Sequence, residues 1–333
     1  MMRRPIAALA GLLFLVALLA GTAFVHASPP AFCQSHPTNP KCVPAPTPTP
    51  TPTPVPTPTP TGAVIVTAAG DIACDPISNS GSPAACDQNA TAAQIIAVDP
   101  AVALTLGDNQ YEAGALSAFQ QVYGPSWGQF LAKTRPAIGN HEYGTSGAAG
   151  YFGYFGARAP ASYYSYDVGS WHLISLNSEC SHIGSCTAGS AEETWLTADL
   201  AAHPNTCVLA YWHEPRWSNG EHGNATQMTT LWNDLVAAHA DIVLSGHNHD
   251  YERYGQMDAS GNLSPTGVRE FVVGTGGKNH YAISAPMLAG EQVQNDKPFG
   301  ILKLTLGAGS YAWQFLPAPG YTFTDSGTGT CVG

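Results

Sequence analysis

Basic side chains are scarce. Lys and Arg number 12 in 333 residues against 23 Asp and Glu, a formal net charge of −11. Duplex nucleic acid is bound through Lys and Arg that neutralise phosphates, so this balance argues against such a partner. No two cysteines stand in a C-x-x-C arrangement, and the common thiolate metal motifs are therefore missing. Beyond Val25 no apolar run approaches the roughly 20 residues that span a bilayer. Only 11% of the chain is charged, yet 44% is hydrophobic and glycine is plentiful. That composition argues for a folded body rather than disorder.

What is present falls into three parts. Met1 to Arg4 is a short positive segment, Ile6 to Val25 is an almost unbroken apolar run, and Val25-His26-Ala27 has the spacing of a cleavage site. Residues 1–27 therefore read as a signal peptide. Left uncleaved, the same run is long enough to anchor the chain at a cell surface; once cleaved, no stable membrane span is expected. Residues 28–62 hold Cys33, Cys42 and a Thr-Pro repeat over 44–61. Such a repeat adopts polyproline II at about 3.1 Å per residue, or roughly 56 Å in all. It reads as a spacer suited to tethering the rest at a wall or surface. Residues 63–333 are expected to form a single folded domain. It carries 9 basic against 23 acidic residues, a formal −14.

Eight cysteines suit an oxidising compartment, and secretion is the expected fate. Cys33/Cys42, Cys74/Cys86 and Cys180/Cys186 are near neighbours in sequence. Cys207 and Cys331 are then left to each other.

Short apolar runs rich in β-branched residues include Val64-Ile65-Val66, Val102-Ala103-Leu104-Thr105-Leu106, Cys207-Val208-Leu209-Ala210 and Ile242-Val243-Leu244. Unbroken runs of this length point to strands buried on both faces. Helical patterns occupy 90–98, 118–123, 191–202 and 227–240. Hairpins are expected over 163–176 around Gly169, and over 300–315 around Gly307 to Gly309. The class is α/β, with two sheets or one large mixed sheet.

Each of these runs, and a shorter one at Pro136-Ala137-Ile138, ends in a polar cluster: Gly70-Asp71, Gly107-Asp108-Asn109-Gln110-Tyr111, Gly139-Asn140-His141-Glu142, His213, and Gly246-His247-Asn248-His249. Ligand sites of α/β sheets lie beyond the carboxyl ends of strands, so these clusters are expected to meet in one crevice. Asp71, Asp108, Tyr111, Asn140, His213, His247 and His249 are oxygen and imidazole donors without sulfur, a set that favours Fe, Mn or Zn. Seven donors exceed the needs of one ion and suit two, if one carboxylate bridges. His247 and His249 would point the same way from an extended strand end. Asp108 and Tyr111 would share a face if a helical turn followed the strand.

These motifs, in this order over residues 70 to 253, resemble those of the calcineurin-like metallophosphoesterases, and within them the purple acid phosphatases. The most specific block is Gly246-His247-Asn248-His249-Asp250-Tyr251-Glu252-Arg253. The resemblance implies a four-layer α/β/β/α sandwich. It implies that Asp71, Tyr111 and His249 hold a first metal ion, Asn140, His213 and His247 a second, with Asp108 between them. Many relatives have a His two residues after the first Asp; Ala73 stands there. Tyr111 then replaces that donor, and a phenolate favours Fe(III) in the first site, with Zn, Mn or Fe(II) in the second.

The implied activity is a phosphatase for small phosphate monoesters, with a water activated at the ion pair as nucleophile. His141 is expected to touch a phosphate oxygen, with Glu142 orienting it, and His222 to protonate the leaving group. Arg216 is a further phosphate-binding candidate. Two alternatives stand beside this one. One is a phosphodiesterase or nucleotidase on the same centre. The other is a non-catalytic wall- or glycan-binding module using exposed aromatics such as Trp127, Trp195 and Trp217.

Overall fold

The computed structural model describes residues 62–75, 86–204, 206–283 and 286–332. The expected signal peptide, the Thr-Pro spacer and the Cys33/Cys42 pair lie outside the described residues. In chain order the strands are β1 (Val64–Ala69), β2 (Val102–Leu106), β3 (Thr134–Ala137), β4 (Tyr164–Val168), β5 (Trp171–Ser175), β6 (Cys207–Tyr211) and β7 (Ile242–Ser245). They continue with β8 (Tyr251–Met257), β9 (Val268–Val273), β10 (Glu291–Asn295), β11 (Gly300–Gly307), β12 (Ser310–Pro317) and β13 (Ser326–Thr330). The longer helices are α1 (Gln88–Val98), α2 (Ala149–Phe155), α3 (Ala191–Ala202) and α4 (Thr229–Ala237).

Six strands form one sheet in the order β13-β12-β11-β1-β2-β3, and seven form the other, β10-β8-β9-β7-β6-β5-β4. In the first, β1, β2 and β3 run parallel, as do β5, β6, β7 and β9 in the second. The period of two decides what each strand buries. Along β6, Leu209 and Tyr211 point into the core that also holds Val66, Leu104 and Leu304 of the first sheet. Val208, Ala210 and the following Trp212 point the other way, onto Leu196 and Leu200 of α3 and Leu231 and Leu235 of α4. Ala92 and Ile95 of α1 join the first core. The result is the expected α/β/β/α sandwich.

Local signals account for the boundaries of α3. Ser190 caps it by accepting the Glu193 amide, and Glu192 and Glu193 place negative charge in its first turn. The expected helix over 118–123 is instead a short turn, Leu116–Ala118, running into the wide turn Phe119–Tyr123. The expected helix over 227–240 is shorter, and His239 beyond it takes a left-handed φ of 57° that cannot continue a helix. Trp127 corrects a further expectation. It is fully buried, its indole N–H donating to Thr91 Oγ1 at 3.1 Å, and it is no surface aromatic. Trp195 and Trp217 are partly buried against the α3/α4 core. Disulfides join Cys74 to Cys86, Cys180 to Cys186, and Cys207 to Cys331.

Candidate metal centre

The carboxyl ends of β1, β2, β3, β6 and β7 converge. The Gly70 amide donates to Val273 O at 2.9 Å, tying the two sheets together where the polar clusters begin, and the Gly246 amide donates to His213 O at 2.9 Å, joining the ends of β6 and β7. Glycine is required there by close approach. A Cβ on Gly139 would lie 2.3 Å from Asp108 Oδ1, and one on Gly246 would lie 2.6 Å from Asp71 Oδ2.

All seven expected donors meet. Tyr111 Oη lies 2.9 Å from Asp71 Oδ1, 3.0 Å from Asp108 Oδ2 and 2.9 Å from His249 Nε2. On the other side, His213 Nε2 lies 3.2 Å from Asp108 Oδ2, 3.0 Å from Asn140 Oδ1 and 3.2 Å from His247 Nδ1. The donors thus form two groups that share a single atom, Asp108 Oδ2.

The backbone reaches this arrangement differently from the simple expectation. Residues 247–250 are a run of bends, not a strand end, and His247 has a left-handed φ of 67°. Asp108 and Tyr111 are not on a helical turn; Gln110 between them forms a β-bridge with Ala73. Asp71 and Asp108 are also left-handed, at 59° and 43°. Such backbone costs on the order of 1–3 kcal/mol per residue and concentrates at functional sites.

The histidines are oriented from behind, as metal-ligating imidazoles are. His213 Nδ1–H donates to Leu106 O at 2.8 Å, leaving Nε2 to face Asp108 and Asn140. His249 Nδ1–H donates to Asn279 O, leaving Nε2 to face Tyr111 and Asp71. The electrostatics fit a cation. Burial, and then Asp108 and Asp71, hold the Tyr111 phenol well above its usual range, so only a cation would draw the proton off. Burial would raise the Asp108 carboxyl, but His213 beside it outweighs that and holds it low. Burial and the charge of His213 push His247 down to about 3, so its ring is neutral and free to ligate.

Two other groupings of potential ligands lack this logic. Both ring nitrogens of His172 are already taken, at 2.8 Å, by Asp167 and Asp199. Its ring stacks on His203 at 3.7 Å and 16°, so their in-plane lone pairs run side by side instead of converging. Cys207 and Cys331 beside Asp241 are bonded to each other.

Around the centre, His141 donates from Nδ1 to Glu112 O, which leaves Nε2 3.8 Å from Asp108 Oδ2. Glu142 corrects the expected role of orienting His141. It accepts the amides of Gly139 at 2.8 Å, Asn109 at 2.9 Å and Gln110 at 3.2 Å, bracing the two loops that carry Asp108 and Asn140. The ring of His222 is 4.4 Å from that of His247, and its amide donates to Asn248 Oδ1 at 2.8 Å. Arg216 is not brought in. It is buried with its guanidinium 3.8 Å over the Trp217 ring, and among the described residues it makes no contact with the donors.

Sequence reasoning missed the supports. Glu252 accepts Ser218 Oγ, the Asn219 amide and the Gly220 amide at 2.5–3.1 Å, and so holds the loop that presents His222. Arg253 forks onto Asp325 at 2.7 and 3.2 Å, with Tyr251 Oη on the same carboxylate. Also missed was 278–281: the Lys278 amide donates to Asp71 O at 2.8 Å, and His280 Nδ1 donates to His249 O at 2.9 Å.

A family model described as calcineurin-like phosphoesterase matches residues 66–251. Purple acid phosphatase 15 of Arabidopsis thaliana is 27% identical over 174 residues, which is 45% of this chain and 32% of that protein. The chain thus spans about a third of the length of that relative. Among solved structures, purple acid phosphatase PPD1 from yellow lupin, Lupinus luteus, superposes with a TM-score of 0.62 at 20% identity, covering 80% of this chain and 53% of that one. GAP50, the anchor in the inner membrane complex of Plasmodium, superposes with a TM-score of 0.61 at 15% identity, covering 79% and 88%.

Proposed function

The chain belongs to the calcineurin-like phosphoesterase family and is purple acid phosphatase-like within it, and on that premise we propose that it is a metal-dependent hydrolase of small phosphate monoesters, exported from the cytoplasm. The observation that carries the reading is the pair of donor groups sharing Asp108 Oδ2. Asp71, Tyr111 and His249 would hold one ion and Asn140, His213 and His247 the other, with Asp108 between. The phenol donor favours Fe(III) in the first position, with Zn, Mn or Fe(II) in the second. When bound, the ions supply an activated water and neutralise charge on the phosphoryl oxygens.

The chain's own groups do the rest. His141, its tautomer fixed by Glu112 O, presents Nε2 toward a phosphate oxygen. His222, held beside His247, donates a proton to the departing oxygen. Arg216, with its guanidinium stacked over Trp217, is left out of this assignment. The leader and the Thr-Pro segment fit an exported enzyme held off a surface by a spacer, and the disulfides suit that compartment.

A second reading, of a binding module without turnover, draws on the fold shared with an anchor protein. Elemental analysis, a visible spectrum, and parallel assays with an aryl phosphate and a bis-aryl phosphate separate the readings. Two ions, a phenolate-to-iron band and faster monoester hydrolysis are expected. A metal-free, colourless and inactive protein would leave only the binding module, and faster diester hydrolysis would mark a phosphodiesterase.

A further inference from the structure

One side of the centre is lined by four aromatic rings in contact. His247 lies 4.4 Å from His222, His222 lies 5.2 Å from Tyr281 with the rings perpendicular, and Tyr281 stacks on His249 at 4.0 Å and 21°. Three of these rings belong to the centre already described. Tyr281 does not, and it bridges the ring of a metal-ligand candidate to that of the proposed leaving-group acid.

Its position is fixed from both sides. The Tyr281 amide approaches His249 O at 3.4 Å, His280 Nδ1 bonds the same carbonyl at 2.9 Å, and Asn279 O receives the His249 ring N–H. The side chain is half-buried. His249 stacks on one face of the ring, and His222 meets the ring at a right angle. The hydroxyl makes no hydrogen bond among the described residues. An aromatic surface already held in place costs a ligand little ordering on contact.

Resting on the phosphatase reading above, we propose that Tyr281 is a specificity-determining residue: it offers the exposed part of its ring to the leaving group and selects phosphate esters in which an aromatic ring is attached directly at the ester oxygen. The directness follows from position. Tyr281 touches His249 and His222 themselves, so it meets the first atoms beyond the bridging oxygen. A ring carried further out, behind a sugar for example, falls beyond it. Offset or edge-on aromatic contact favours such a ring over an alkyl group of similar size by roughly three- to tenfold.

The test uses the metal-loaded full chain, with Tyr281→Ala and Tyr281→Phe beside the wild type. kcat/KM is measured for phenyl phosphate and for glycerol 2-phosphate, and binding is measured for phenylphosphonate and methylphosphonate, which are not hydrolysed. Tyr281→Ala should lower kcat/KM for phenyl phosphate roughly three- to tenfold and leave glycerol 2-phosphate within about twofold, while Tyr281→Phe keeps the wild-type ratio. The wild type should bind phenylphosphonate more tightly than methylphosphonate, and Tyr281→Ala should lose that preference.

An equal fall for both substrates, with metal lost on elemental analysis, would mean that Tyr281 only props His249 and would overturn the proposal. An unchanged ratio would do the same while leaving the phosphatase reading intact. A wild type that hydrolyses neither ester and binds neither phosphonate would end both.

Discussion

Nε2 of His213 and Nδ1 of His247 face each other across 3.2 Å. The other nitrogen of His213 is committed as a donor to Leu106 O. In a neutral His213 the facing atom is therefore a bare lone pair, set 3.2 Å from Asp108 Oδ2 and 3.0 Å from Asn140 Oδ1, and a proton or a cation there reconciles it with those two acceptors. Burial works against a charge on His213, but Asp108 beside it outweighs burial and holds the imidazole protonated well past its ordinary range. A proton thus stands in wherever the metal is absent.

Metal uptake must expel that proton. Affinity for Zn(II), measured by competition with a chelator, should therefore rise with pH from pH 6 upward, by about tenfold per pH unit for each proton expelled. A flat profile would show that His213 is already neutral in the metal-free protein.

Replacing His141 and replacing His249 should give opposite signatures. His141→Ala should retain both ions and lose turnover by on the order of 100-fold, because its Nε2 faces the reacting phosphate without being a ligand. His249→Ala should lose metal from the first position together with the visible band. Elemental analysis beside kcat distinguishes the two, and unchanged turnover in the first would remove His141 from the mechanism.

Gly139→Ala introduces one methyl group 2.3 Å from Asp108 Oδ1. The shared carboxylate must move, so the variant should purify with less than its complement of metal. It should also be less stable by about 1–3 kcal/mol in thermal unfolding. A fully loaded variant of unchanged melting temperature would count against Asp108 as the shared ligand.

Stability should fall with rising pH. Burial pushes the Glu270 and Glu192 carboxyls up to about 8. In the window from about 4.5 to about 8 the folded protein holds protons that the unfolded chain has released. The stabilisation is full below that window and is lost as pH rises through it, by up to about 1.4 kcal/mol per pH unit for each group. Glu270→Gln should flatten the fall in melting temperature between pH 5 and pH 8. The same slope in the variant would assign the effect elsewhere.

The donors were legible in the sequence because each follows a short buried strand, where unbroken apolar runs end in Gly and a polar side chain. The hairpin around Gly169 and helix α3, with Ser190 and two glutamates at its start, carried equally local signals. Other elements did not. β13, Ser-Gly-Thr-Gly-Thr, has no apolar residue and is a strand because β12 offers it a free edge. β8 interrupts its pattern with Glu252 and Arg253, whose partners Ser218 and Asp325 lie 34 and 72 residues away. Glu142 was misread for the same reason: its neighbour in sequence is His141, but its hydrogen bonds go to backbone amides of two different loops. Tyr281 stands well beyond the buried end of β9 and outside any polar cluster adjoining it, and only the fold brings it to His249.

The Cys207–Cys331 bond closes 124 residues of chain. It fastens the amino-terminal end of β6, in one sheet, to the tail that follows β13 in the other, and Val332 is pinned beside it to Asp241. His213 lies at the far end of the same strand. The two leaves of the sandwich are thus riveted at the base, opposite the rim where a guest would enter. A reducing milieu would release that rivet, leaving the mouth to be held by the packed core and the hydrogen bonds between the leaves alone.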